Sequence, residues 1–181
     1  MSRGPYVSRG GMKLAAAIDA FNLEVNGQSC ADFGCSTGGF TDCLLGHGAA
    51  QVIAVDTGYG VLDWKLRTDP RVLVMERANA LHVPPPCLVD LVTVDMGWTR
   101  QHLAIPAAQR WLVSGGRIVT LIKPVYEVGH PGLNDDEAQR VANTVTESLS
   151  DDKIQVMGQI ESPIRGSKGG TREWLALLKI I

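Results

Sequence analysis

The chain has 181 residues, of which 45% are hydrophobic and 20% charged, with 20 Gly, 9 Pro and a formal net charge of −2. So high an apolar fraction with so small a charge excludes a disordered chain. No apolar run reaches the roughly 18 residues that a membrane-spanning helix needs.

Helical spacing of Leu14, Ala17, Ile18 and Phe21 predicts a first helix over residues 12–21. Residues 29–33 read as a short buried strand running into a Gly-rich turn, and 37–45 as the next helix, stopped by Gly46 and Gly48. Residues 52–55 form a second strand that closes at Asp56. A short helix over 62–67 and a third strand over 72–75 follow, and then Pro84, Pro85 and Pro86 bar any helix. Two more buried-type strands, 88–94 and 116–122, flank a helix expected over about 105–113. A longer helix over 134–149 precedes two terminal strands, 153–160 and 174–181.

Near-continuous apolar strands alternating with helices imply an α/β fold with a mostly parallel sheet covered on both faces. The Pro- and Gly-containing loop between the last two strands suggests that the final one runs antiparallel. With no internal repeat and no shift in composition, residues 1–181 are expected to be one domain, with 1–10 a basic N-terminal arm. Residues 1–6 lack the apolar core of a secretory signal. Cys30, Cys35, Cys43 and Cys87 make no CxxC pair and have no histidine at zinc spacing, so a reduced, cytoplasmic protein without a metal is expected.

The charge is unevenly placed. Residues 1–18 carry Arg3, Arg9 and Lys13 with no acid, residues 164–172 carry Arg165, Lys168 and Arg172 with no acid, and residues 134–152 are acidic. If the two basic segments meet they form a patch for phosphates; otherwise they are two solvated loops.

The turn from Asp32 to Thr41, DFGCSTGGFT, brings backbone amides within reach of a ligand. Phe40 stands where a Walker A loop needs Lys, and Gly34 and Gly38 do not fit GxGxxG. The remaining ligand reading is the acid-x-Gly-x-x-x-Gly loop of an S-adenosylmethionine (AdoMet) site; the alternative is a turn that merely lets strand and helix pack. Asp56, at the end of the second strand, favours the nucleoside, because an acid there accepts hydrogen bonds from both ribose hydroxyls. Asp32 is a further acidic group suited to the sulfonium. Asp95 and Lys123 each follow an apolar strand directly and are expected to point into the ligand crevice.

The motifs VSRGGMKL (7–14), DFGCSTGGFTDCLL (32–45), AVDTGYGVLDWKLRTDPRV (54–72), LIKPVYE (121–127) and SPIRGSKGGTREWL (162–175), with Glu76 and Asn79 between them, resemble those of the FtsJ-type ribose 2′-O-methyltransferases. The likeness spans almost the whole chain and is closest to the TlyA branch, whose members modify ribosomal RNA and are often labelled haemolysins. It implies a Rossmann-like class I AdoMet-dependent fold with a seven-stranded sheet and an antiparallel last strand. It also implies a catalytic Lys-Asp-Lys-Glu tetrad at Lys13, Asp95, Lys123 and Glu173. Gly34, Thr37, Gly38, Gly39, Asp56, Asn79 and Asp95 are implied to surround AdoMet, together with Asp32 and Ser36 of the same loop. Two departures stand out. Met96-Gly97-Trp98-Thr99 replaces the Ser-Phe-Ile-Ser run usual in the TlyA branch, and the sequence opens almost directly on the expected catalytic domain, where members of that branch carry an S4 RNA-binding domain ahead of it.

The expected partner is therefore RNA, as ribosomal RNA or a ribosomal subunit, gripped by Arg3, Arg9, Arg165, Lys168 and Arg172. Trp98 and Trp174 flank the tetrad and are candidates to stack on a base, with plain burial favoured for Trp174. The rival readings are a small-molecule O-methyltransferase, which would need a pocket-forming insertion, and a non-catalytic RNA- or AdoMet-binding module.

Overall fold

In the computed structural model, which describes residues 4–166 and 170–181, seven strands hydrogen-bond into one sheet. They are β1 (Ser29–Phe33), β2 (Gln51–Val55), β3 (Val72–Met75), β4 (Val89–Val94), β5 (Leu112–Ile122), β6 (Ile154–Glu161) and β7 (Trp174–Ile180). Their order across the sheet is β3-β2-β1-β4-β5-β7-β6. The first five run parallel, and β7 lies antiparallel between β5 and β6. The expected antiparallel last strand is thus present, inserted inside the sheet rather than added at its edge.

Among the described residues six helices accompany the strands: α1 (Gly10–Ala20), α2 (Gly39–Gly46), α3 (Trp64–Arg67), α4 (Gln101–Gln109), α5 (Pro124–Val128) and α6 (Asp135–Ser148). None is long and apolar enough to cross a membrane. One core cluster unites Leu14 and Ile18 of α1 and Leu44 of α2 with Val52, Leu91, Val119 and Leu175 of the strands. The other unites Ala104 and Ile105 of α4 and Ala138 and Ala142 of α6 with Phe33, Ile53, Val92 and Ile118. Along the inner strands successive residues alternate between the two clusters, so these strands are apolar on both sides, whereas the edge strands β3 and β6 are partly exposed.

Three elements differ from expectation. The helix expected over 105–113 is α4, which begins at Gln101 and carries Pro106 inside it. Its N-cap, Arg100, offers no side-chain cap; the carboxylate of Glu127 instead accepts from the Gln101 amide at 3.0 Å. That start signal lies 26 residues away and is invisible to local reading. The following strand, β5, starts at Leu112, and its pairing with β4 shifts register between Val89 and Leu91, so Ser114, Gly115 and Gly116 are absorbed by the irregularity. The short α5, opened by Pro124 and closed by Gly129 at φ +80°, was not expected. By contrast α6 begins where its sequence says it should: Asn134 accepts from the Glu137 amide and Glu137 from the Asn134 amide, a reciprocal cap.

The strand order reverses between β1 and β4, the place where an open parallel sheet leaves a crevice at its carboxyl edge.

Candidate active site

A cleft of about 980 Å³ opens at that reversal. Its floor is the loop after β1. Gly34 adopts φ +81°, and a Cβ there would come 2.8 Å from the carbonyl oxygen of Asp95, so only glycine lets the loops after β1 and β4 touch. The Gly34 and Cys35 amides donate to the Val55 carbonyl, which pins the loop across β2. At Gly39 a Cβ would lie 2.8 Å from the Gly11 amide, so this glycine allows α1 and α2 to close together.

Two lysine–carboxylate pairs line the cleft. Lys13 of α1 reaches Glu173, just before β7, with Nζ 2.5 Å from Oε2; both residues are buried. Lys123, just after β5, is ion-paired with Asp95, just after β4, and also donates to the Met96 carbonyl at 3.4 Å. The chain ends meet here too, since Arg9 and Arg172 are both on the cleft wall. Gly166 makes room for the Glu173 carboxylate, because a Cβ there would sit 2.6 Å from Oε1.

Of the residues expected around a cofactor, Gly34, Ser36, Thr37, Gly39 and Asp95 line the cleft. Gly38, Asp56 and Asn79 are not part of that wall. Gly38 sits against Leu62 and Leu66, and the Asn79 side chain accepts from the Leu81 amide. Asp56 accepts from the Ser36 amide at 2.8 Å and the Gly58 amide at 2.7 Å, so its carboxylate already reaches the glycine loop. This donor set, amides and carboxylates with no Lys or Arg between Asp32 and Thr41, fits a zwitterionic nucleoside.

Asp32 corrects the expectation of direct contact. It is fully buried under the loop, with one oxygen taken by Thr41 of α2 at 2.7 Å and the other by Thr93 of β4 at 3.0 Å. Burial lifts its carboxyl to a pKa of about 7 against the pull of the two hydroxyl donors. The folded chain therefore holds this proton more tightly than the unfolded chain, whose aspartates titrate near ~3.9. Stability from this group is complete below pH ~4 and is lost as pH rises to about 7. Asp32→Asn, which keeps one acceptor and cannot ionise, is expected to gain a few kcal/mol relative to the parent between pH 4 and pH 8, taking about 1.36 kcal/mol per pH unit. Urea unfolding at the two pH values measures this, and parallel curves for the two proteins would show that the folded chain carries Asp32 ionised throughout.

The expected basic contacts divide. Arg165 is held by Asp135 through both terminal nitrogens, and Arg172 by Glu161. Arg3 and Lys168 lie outside the described residues. Trp174 is buried, with the Arg172 guanidinium 5.4 Å from its ring, so it is unavailable for stacking on a base. Trp98 is 75% exposed, at φ +63°, with its ring 4.7 Å from that of Tyr126. The sequence reading passed over Arg100, Tyr126 and His130, which also line the cleft. Reading Pro124 as the start of a helix would have found Tyr126, one turn from Lys123.

The FtsJ-like methyltransferase family model matches residues 6–175. The 16S/23S rRNA (cytidine-2′-O)-methyltransferase TlyA of Mycobacterium tuberculosis is 38% identical over 186 residues, spanning 97% of this chain and 69% of its own. A solved structure from Streptococcus thermophilus described as a hemolysin superposes with a TM-score of 0.90 at 38% identity, over 99% of this chain and 68% of that one. The N-methyltransferase NodS of Bradyrhizobium japonicum, solved with S-adenosyl-L-homocysteine, shares the fold alone, with a TM-score of 0.65 at 16% identity over 91% and 84% of the two chains.

Proposed function

This chain belongs to the FtsJ-like methyltransferase family, and from that premise we propose that it methylates a ribose 2′-hydroxyl of ribosomal RNA. Residues 1–181 act as one catalytic domain in this reading. The observation that carries it is the convergence of Lys13–Glu173 and Lys123–Asp95 on one cleft beside the glycine loop. The similarity to TlyA supports ribosomal RNA as the substrate class.

Bound AdoMet supplies an electrophilic methyl group, so the chain's own task is to align a ribose oxygen and manage its proton. Gly34, Ser36 and Thr37 form the seat, and Asp56, which accepts from the Ser36 amide, exchanges that bond for ribose hydroxyls when the cofactor binds. Asp95 orients the Lys123 ammonium toward the cleft. The Lys123 ammonium, held by Asp95, serves as a donor to the 2′-oxygen, stabilising the negative charge that builds there as the methyl–sulfur bond breaks, the neutral thioether leaves and the hydroxyl proton passes to water. Glu173 fixes Lys13 in the same cleft, where its ammonium orients the ribose.

The test is transfer of tritiated methyl from AdoMet to purified ribosomal subunits, naked ribosomal RNA, free nucleosides and catechols. Label is expected in RNA, surviving alkali as dinucleotides, because 2′-O-methylation blocks cleavage at that bond. Label confined to the small molecules would overturn the reading in favour of a small-molecule O-methyltransferase.

A further inference from the structure

We infer that Arg100 grips an RNA phosphate beside the target ribose, sharing that work with Arg9 and not with the arginines of the C-terminal loop. The inference rests on the RNA reading above and specifies which side chains carry it.

The ionic inventory of the cleft leads there. Its wall carries the cations Arg9, Lys13, Arg100, Lys123 and Arg172. Lys13 is spent on Glu173, Lys123 on Asp95 and Arg172 on Glu161. Arg165, off the wall, is spent on Asp135. Among the described residues, Arg9 and Arg100 make no ion pair with a carboxylate. Both are exposed. The cleft cations that form no ion pair are thus two guanidinium groups, one from the start of α1 beside Lys13 and one from the loop that follows Asp95.

Arg100 also has the wrong surroundings for a structural role. It stands at the N-cap of α4, but only its backbone carbonyl serves the helix, accepting from the Leu103 and Ala104 amides. Its guanidinium lies beside Gly129, with Nη2 3.5 Å from where a Cβ would be, and that glycine leaves the space open. A planar fork of five N–H donors, charged at any physiological pH, with the half-buried Glu127 in electrostatic reach but no ion pair formed to it, is suited to a phosphodiester. A strand that presents its 2′-oxygen to Lys123 passes between Arg9 and Arg100, and each meets a phosphate. The carboxylates of Asp95 and Glu173 do not repel that strand, because each is covered by its lysine.

The test compares the full chain with Arg100→Gln, Arg100→Lys and Arg71→Gln. Arg71 is paired with Asp69 and is absent from the cleft wall, so it controls for net charge alone. The probes are a fluorescent single-stranded ribo-oligonucleotide and purified ribosomal RNA, titrated between 50 and 200 mM salt, with AdoMet affinity and thermal unfolding measured alongside. Arg100→Gln is expected to weaken RNA binding roughly tenfold at low salt and to reduce the log–log salt slope by about 0.7 to 1. KM for RNA rises in proportion, while kcat, AdoMet affinity and the unfolding temperature hold. Arg100→Lys keeps the slope, and Arg71→Gln matches the parent. Parental RNA affinity and slope in Arg100→Gln overturn the inference while leaving RNA methylation standing. So does a loss equal to that of Arg71→Gln, or one accompanied by lower stability or weaker AdoMet binding. A parent chain that neither binds nor methylates any RNA overturns the functional reading and this inference with it.

Discussion

Lys123→Ala is expected to lower methyl transfer by about 10²- to 10⁴-fold, the range for a lost proton-handling or charge-stabilising group, while leaving AdoMet affinity within about twofold. The split follows from what Nζ touches: Asp95, the Met96 carbonyl and, at 5.7 Å from its centroid, the Tyr126 ring. None of these belongs to the loop from Gly34 to Thr37. Stability should change little, because the Asp95 side chain left behind is a quarter exposed and water can solvate it. Lys123→Arg separates the two chemical roles. Arginine keeps the positive donors but yields no lone pair, so residual turnover well above the alanine variant marks Lys123 as a charge stabiliser. Equal loss in both marks it as a base. Single-turnover transfer with bound AdoMet measured independently by calorimetry reads both quantities, and undiminished transfer in Lys123→Ala removes this residue from the chemistry.

Asp95 and Lys123 are legible from sequence because each interrupts an apolar strand at the end that faces the crevice. A charge directly after LVTV or TLI has no packing reason to be there. Lys13 and Glu173 are not legible in that way. They lie 160 residues apart, and each alone resembles a surface charge; only the resemblance to a family singled them out. The misreading of Asp32 is instructive for a different reason. Its position in a run of buried strand residues was visible, and so was Thr93, which pairs with it in register across β1 and β4. An acid in a strand covered on both faces needs donors from inside the fold, and Thr41 and Thr93 supply them. Charge summed by segment hides the ion pairs of Arg165 and Arg172. The acidic run after residue 134 and the basic loop after 164 are complementary, and Asp135 and Arg165 neutralise each other once folded. Helix α4 escaped notice at its start since its cap, Glu127, is tertiary.

Removing Glu173 tests the other half of the site against the possibility that it is mere architecture. The Lys13–Glu173 pair joins α1 to the start of β7 with both side chains about nine-tenths buried. Deleting one member of such a pair strands a charge in a poorly solvated place, at a typical cost of 3–5 kcal/mol. Glu173→Ala is accordingly expected to lower the unfolding temperature by roughly 6–20 °C for a chain of this size and to abolish transfer. Loss of activity in that variant alone says little, since a shifted α1 would misplace the cleft wall. The paired replacement Lys13→Met with Glu173→Leu resolves this. Apolar side chains of similar volume refill the space without a stranded charge, and such exchanges are often neutral or stabilising. The paired variant is expected to unfold at or above the parental temperature and to bind AdoMet, yet to remain inactive, because no ammonium is left on the α1 wall to orient the ribose. Parental turnover in that variant would reduce Lys13 and Glu173 to a structural tie, with Lys123 and Asp95 left to carry the reaction alone.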